Sequence, residues 1–177
     1  MNNSTPQPPD YFQKYMAGDV CFGCGTENPR GLKIRSFWDG DETVCIWTPE
    51  KHHQGWANLT CGGIIATLID CHCMASAMAF AVRNEGRALG TEPHYRFATG
   101  TLNIKFLKPT PISDSLTLRA RLKNIRKKRI YTFDCKLDAN AETTAEAEVV
   151  AFLVYSSNES ADGDTPYSAR SENLFEN

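Results

Sequence analysis

Gly62 and Gly63 stand at the head of a long apolar run, and Asp70 follows seven residues after Gly63. If the run is a helix, seven residues make nearly two turns, so Gly63 and Asp70 share one face, roughly 10 Å apart along the axis. The first turn of a helix leaves backbone N–H groups without partners, and its dipole favours negative charge. Glycine, lacking a Cβ, lets a ligand come close to that backbone. Donors placed in this way suit a carbonyl that is turning into an oxyanion. The same pair of glycines would equally let the helix pack tightly against a sheet. Asp70 has Leu68, Ile69 and Cys71 as neighbours in sequence, and a carboxylate in apolar surroundings is costly unless paired. It is a candidate general base or nucleophile, or else a structural aspartate bonded to backbone amides or to an arginine.

Seven cysteines in 177 residues are the other chemical signal. An odd number cannot all pair within one chain. The N-terminus, MNNSTPQPPDYFQKYMAGD, lacks the basic start and apolar stretch of a secretory signal. The expected compartment is therefore the cytoplasm, where thiols stay reduced. A zinc site would need Cys21 and Cys24, a CxxC, plus two more ligands. Cys71, His72 and Cys73 are the available group, but Cys71 and His72 are adjacent on a helix and point about 100° apart. There is no second CxxC, so no metal is expected. A redox CxxC would sit between a strand and a helix, whereas Pro29 and Gly31 follow this one and indicate a loop. Cys45 and Cys135 fall in apolar strands and read as packing.

Arg119, Arg121, Lys123, Arg126, Lys127, Lys128 and Arg129 form a basic stretch with no acidic residue inside it. On two antiparallel strands with a turn at about 125–128, these side chains can meet phosphates. They can also be a solvated hairpin tip that protects a strand edge.

The elements that must carry these residues follow from patterning. Residues 32–38 and 43–48 read as strands joined by Asp39-Gly40-Asp41, a hairpin signal. Residues 49–60 read as a loop, and the apolar run to about residue 83 as a helix with Gly86 as its C-terminal cap. That run approaches the length of a membrane span, but Asp70 and His72 lie near its middle, where a charge in lipid costs about 3 kcal/mol. Mean hydropathy is −0.40, and a helix buried in a core is expected, with no membrane partner. Residues 84–96 read as a loop. Alternation then marks strands at 101–107, 115–124, 130–137 and 146–155. Strands on both sides of one helix imply an α+β arrangement, an antiparallel sheet wrapped on that helix. Apolar residues make up 41% and the net charge is −2, which gives no electrostatic reason to bind nucleic acid. The division expected is an arm over 1–19, one domain over 20–155 and an acidic, disordered tail over 156–177.

With these elements in place, NLTCGGIIATLIDCHCMASA resembles the signature of hotdog-fold acyl-CoA thioesterases of the phenylacetate-degradation, PaaI-like type. That signature is His-Gly-Gly followed by an apolar helix with an acidic residue nine positions after the histidine, and Gly62, Gly63 and Asp70 fit it in register. ATGTLNIKFLKPTPISDSLTLRARL looks like the family's next pair of strands, and CFGCGTENPRGLKIRSF like the CFxCG motif of one branch. The resemblance implies a hotdog fold assembled as a homodimer or a dimer of dimers, with sites between subunits. It implies Asp70 as base or nucleophile, Gly62 and Gly63 amides as oxyanion hole, and Thr99 as the hydroxyl that helps place the attacking water. The substrate would be an acyl-CoA, with coenzyme A entering as part of it and no separate cofactor. Arg126, Lys127, Lys128 and Arg129 would then meet the CoA phosphates. Cys61 stands where the family has histidine. A thiol is a weak donor, neutral near pH 7, and the preceding loop offers His53, Gln54 and Asn58 as substitutes. The departure also opens an alternative, a hotdog protein that binds acyl-CoA without turning it over.

Overall fold

A computed structural model describes residues 10–16, 19–112 and 114–158. Most of the expected arm and nearly all of the expected acidic tail lie outside the described residues. A 3-10 turn, Phe12–Tyr15, comes first. It is followed by β1 (Ser36–Asp39), β2 (Glu42–Trp47), a second 3-10 turn (Lys51–His53), β3 (Gln54–Trp56) and β4 (Leu59–Thr60). The helix α1 is Gly62–Asn84, and β5 (Tyr95–Phe106), β6 (Leu116–Arg126), β7 (Ile130–Ala139) and β8 (Glu142–Ser156) complete the order. Six strands form one antiparallel sheet in the order β1-β2-β6-β7-β8-β5, and β3 pairs with β4 apart from it.

Alternation decides which face of each strand meets α1. Along β7, Tyr131, Phe133, Cys135, Leu137 and Ala139 are buried, while Asp134 and Lys136 between them are exposed. Leu116, Leu118 and Ala120 of β6 and Ala145, Ala147, Val149 and Ala151 of β8 continue the same layer. The helix they enclose is buried at every residue from Cys71 to Val82, which is why its apolar residues form no single stripe. Its length and composition would suffice to cross a membrane, yet 78% of that window is buried inside the fold. Ala75, Ser76, Ala77, Ala79 and Ala81 keep its girth small, so the sheet can curl over it. This is the α+β arrangement expected from patterning.

Turn chemistry closes the strands. Gly40 has φ +63° between β1 and β2, and Lys127 and Lys128 have φ +53° and +55° between β6 and β7. Gly86, at φ +68°, ends α1: its N–H bonds to the Arg83 carbonyl at 2.9 Å, and the Arg87 N–H reaches back to Val82 at 3.2 Å. Several boundaries differ from expectation. The first strand begins at Ser36 rather than residue 32, because residues 21–34 form a loop bonded to itself. The expected loop 49–60 contains β3 and β4, too short to show a period. The fifth strand begins at Tyr95 rather than 101, because β8 runs far enough to pair with it there.

A buried polar chain ties the layers together. His72 is fully buried: its Nδ1 lies 2.9 Å from Ser36 Oγ and its Nε2 3.4 Å from Thr43 Oγ1. Gln13 Nε2 donates to Ser36 Oγ at 3.0 Å, and Thr43 Oγ1 meets Ser76 Oγ at 2.7 Å. Burial pulls the His72 pKa down to about 4, so this imidazole is a neutral bridge between β1, β2 and α1.

Candidate active site

Cys61 takes the N-cap position of α1 without a side-chain hydrogen bond to the helix. Gly62 and Gly63 follow, both exposed. Among the described residues, a Cβ placed on Gly62 would meet only the Phe106 ring, at 3.6 Å, and one on Gly63 only Cys61 Sγ, at 3.7 Å. Those are ordinary contacts, so packing within the chain does not demand glycine at either position. Both glycines are exposed at the head of α1, and the sheet contact there is Gly62 against the Phe106 ring of β5.

Asp70 lies on α1 facing β5, half-buried, and its Oδ1 accepts a hydrogen bond from the Thr99 hydroxyl. Burial raises the Asp70 carboxyl above its usual range; the Thr99 bond works against that, and charge on Cys21 adds to it. Thr99 sits at a break in the β5–β8 register, between Thr99 and Thr101. The cause is Gly100: the Phe152 ring of β8 occupies the space where its Cβ would be. The extra residue bends the edge strand and re-aims the side chain beside it. Two residues singled out from sequence, one on the helix and one on a strand, are thus brought together.

The loop before the helix uses its polar side chains on itself. His53 is buried, its Nδ1 accepts from the Glu50 N–H at 2.8 Å, and its ring lies 4.9 Å from Trp47. Burial, more than the neighbouring His52, lowers its pKa. Gln54 accepts from the Asn58 N–H at 2.7 Å and donates to the Lys51 carbonyl at 2.8 Å, closing the β3–β4 turn in which Asn58 has φ +65°. The Cys61 N–H bonds to the His53 carbonyl at 2.9 Å. His53 and Gln54 therefore shape the entry to α1 rather than extending free groups from it.

Arg126, Lys127, Lys128 and Arg129 form the exposed β6–β7 tip, with Arg129 Nη2 3.4 Å from the Leu153 carbonyl. The lower part of the basic stretch is paired: Arg119 donates to Asp39 at 2.6 Å, Arg121 Nε to Glu42 at 2.8 Å and Lys123 to Glu148 at 2.6 Å. Charge on Lys128 reaches Glu85 just past the C-terminal end of α1. A helix of 23 residues is about 34 Å long, so in one chain the tip and the glycines lie at opposite ends.

Sequence spacing did not reveal what lies next to Asp70. Cys71 Sγ is 3.7 Å from Cys21 Sγ, and the sulfurs of Cys21, Cys24 and Cys71 all lie within 4.8 Å of one another. The nearby Cys24 and Cys71 sulfurs hold the Cys21 pKa far below the usual thiol range, and the Cys24 thiol donates to Asp19 Oδ2 at 3.5 Å. His72 and Cys73 turn away into the core, as two residues 100° and 200° further round a helix must. Gly23 was the available signal: a Cβ there would collide with Cys71 Sγ, so the loop must present a bare α-carbon to the helix. Cys45 and Cys135 are buried in strands as expected.

The description of the family model that matches residues 58–137 is Thioesterase superfamily. Acyl-coenzyme A thioesterase THEM4 of Rattus norvegicus is 26% identical over 130 residues, which are 72% of this chain and 50% of that protein. The chain thus spans about half the length of the curated relatives it matches. A thioesterase superfamily protein from Shewanella loihica PV-4 is 34% identical with a TM-score of 0.55, covering 67% of this chain and 89% of that one. Escherichia coli PaaI, from the phenylacetic acid degradation operon, shares 16% identity at a TM-score of 0.56, over 71% of this chain and 82% of that one. A Streptococcus mutans protein bound to acetyl CoA shares 14% at 0.55, over 70% and 90%. The last two are similar in fold.

Proposed function

This chain belongs to the thioesterase superfamily and has its hotdog fold, and from that premise we propose that it hydrolyses an acyl-CoA thioester to a free acid and CoA. The observation that carries the reading is the Thr99–Asp70 hydrogen bond, made beside a helix whose first-turn amides are open. Asp70 takes the proton of a water that Thr99 helps to place, or attacks the carbonyl itself to form an anhydride that water then opens. Because Asp70 lies roughly 10 Å along α1 from the glycines of its own chain, the oxyanion is received by the Gly62 and Gly63 amides of a second copy, and CoA leaves as the thiolate and regains a proton. Coenzyme A enters with the substrate and no other cofactor takes part. The substrate class is supported by the names of THEM4 and of the acetyl-CoA-bound structural neighbour.

The assembly in this reading is a homodimer or a dimer of dimers. Supporting it, β5 is a sheet edge, and Phe106 and Leu107 at its end are 56% and 49% exposed. Since the basic tip and the glycines are at opposite ends of α1, its contact with the phosphates of a bound CoA would be supplied across two chains. Seven free thiols suit the reducing cytoplasm.

The test is acyl-CoA hydrolysis by the native chain and by Asp70→Asn over a panel of chain lengths. A fall of about 100-fold or more is expected, the usual size of a lost general base; equal rates would refute the role given to Asp70. Cys61 in the histidine's place favours a second reading, a protein that holds acyl-CoA without hydrolysis. Tight acyl-CoA binding with no CoA released by the native chain would select it.

A further inference from the structure

Three sulfurs from two distant parts of the sequence meet at one point on the surface of α1. Cys21 and Cys24 come from the loop and Cys71 from the helix, with all three sulfurs within 4.8 Å of one another. Around a tetrahedral zinc ion, with Zn–S near 2.3 Å and Zn–O near 2.0 Å, sulfurs stand roughly 3.8 Å apart and sulfur and oxygen roughly 3.5 Å apart. Cys21 Sγ and Cys71 Sγ are 3.7 Å apart, and Cys24 Sγ is 3.5 Å from Oδ2 of the buried Asp19. We propose that Cys21, Cys24 and Cys71 form a site for a soft divalent cation of the zinc class, with the Asp19 carboxylate as its fourth ligand.

The surrounding loop is shaped for this. The Gly23 N–H lies 3.4 Å from Cys21 Sγ, and the Cys21 N–H bonds to Asp19 Oδ1 at 3.0 Å. Those are the outer hydrogen bonds that hold metal ligands in orientation. The loop is locked from behind by Gly25 N–H to the Cys21 carbonyl at 2.9 Å, Leu32 N–H to Phe22 at 2.9 Å and Ile34 N–H to Gly23 at 3.2 Å. Gly23 and Gly25 leave no room for a Cβ. A hydrophobic packing role would not call for such a cradle or for a buried carboxylate beside it. On ligation each thiol that still carries a proton releases it to solvent, and three thiolates with one carboxylate meet a dication.

The proposal stands apart from the hydrolysis reading, and its test does not use activity. The full chain is reduced, stripped with a chelator and titrated with Co²⁺ without oxygen, the readout being thiolate-to-cobalt charge-transfer absorption. One Co²⁺ per chain is expected, displaced by Zn²⁺. Cys21→Ser and Cys71→Ser are expected to lose the band or weaken binding at least tenfold, Cys61→Ser to retain it, and Asp19→Asn to weaken binding while keeping the sulfur band. A reduced native chain without the band, or a band unchanged in Cys71→Ser, overturns the site; unchanged affinity in Asp19→Asn overturns the fourth ligand. Should Cys71→Ser fail to fold, alkylation of Cys21 in the native chain decides. Zn²⁺ is expected to slow it at least tenfold, and no protection overturns the proposal.

Discussion

Thr99 and His72 show how differently two polar side chains near one aspartate can be used. Thr99 is exposed and its hydroxyl ends on the Asp70 carboxylate. The hydroxyl is the contact that helps to place the attacking water, so Thr99→Val should lower kcat for acyl-CoA hydrolysis by about 10- to 100-fold. Thr99 is exposed, so the thermal midpoint should fall by only a few degrees; steady-state kinetics beside thermal melts check both. His72 is two residues from Asp70 and does the opposite. Its ring nitrogens face Ser36 and Thr43 in the core, so His72→Leu should destabilise the fold by about 2 kcal/mol and leave turnover per folded molecule unchanged. Chemical denaturation and an activity assay on the same sample separate the two. That Gly62, Gly63 and Asp70 share one helix was legible from the apolar run, while Thr99 was singled out by the resemblance alone. The bridging role of His72 and the meeting of Cys71 with Cys24 were not legible. Spacing along a helix gives a direction, but it does not say which segment 47 residues earlier lies in that direction.

Among the elements, the open head of α1 matters most for chemistry. Because a Cβ at Gly63 would touch only Cys61 Sγ among the described residues, Gly63→Val should fold with the native melting temperature, yet its branched side chain would cover the first-turn amides. Hydrolysis should fall at least tenfold, with melts and initial rates read together. A variant that loses stability instead would show that the glycine serves packing after all. The long elements were readable from sequence: α1 from its apolar run and Gly86, β6 and β7 from alternation. β3 and β4 were not, because strands of three and two residues hold no detectable period. The bulge at Gly100 was hidden for another reason. It depends on the Phe152 ring of β8, a contact that no local pattern reports.

For the molecule as a whole, the sheet covers α1 but leaves β5 as an edge, with Phe106 and Leu107 exposed next to the helix N-terminus. A second copy pairing along that edge would bury both side chains. Light scattering on the native chain should give at least a dimer, and Phe106→Asp should shift it to monomer by placing charges against each other. A native monomer would refute the proposed assembly.

The strand order carries a further consequence, for the moment of synthesis. β8 lies between β7 and β5, so neither of those strands has its full set of partners until residues 142–156 have been made. At roughly 5–20 residues per second, β5 waits several seconds beside an apolar helix that the sheet cannot yet enclose. β1, β2, β6 and β7 can pair before then, but β5 joins the sheet only through β8, so a chain stopped short of β8 would leave that side of α1 uncovered.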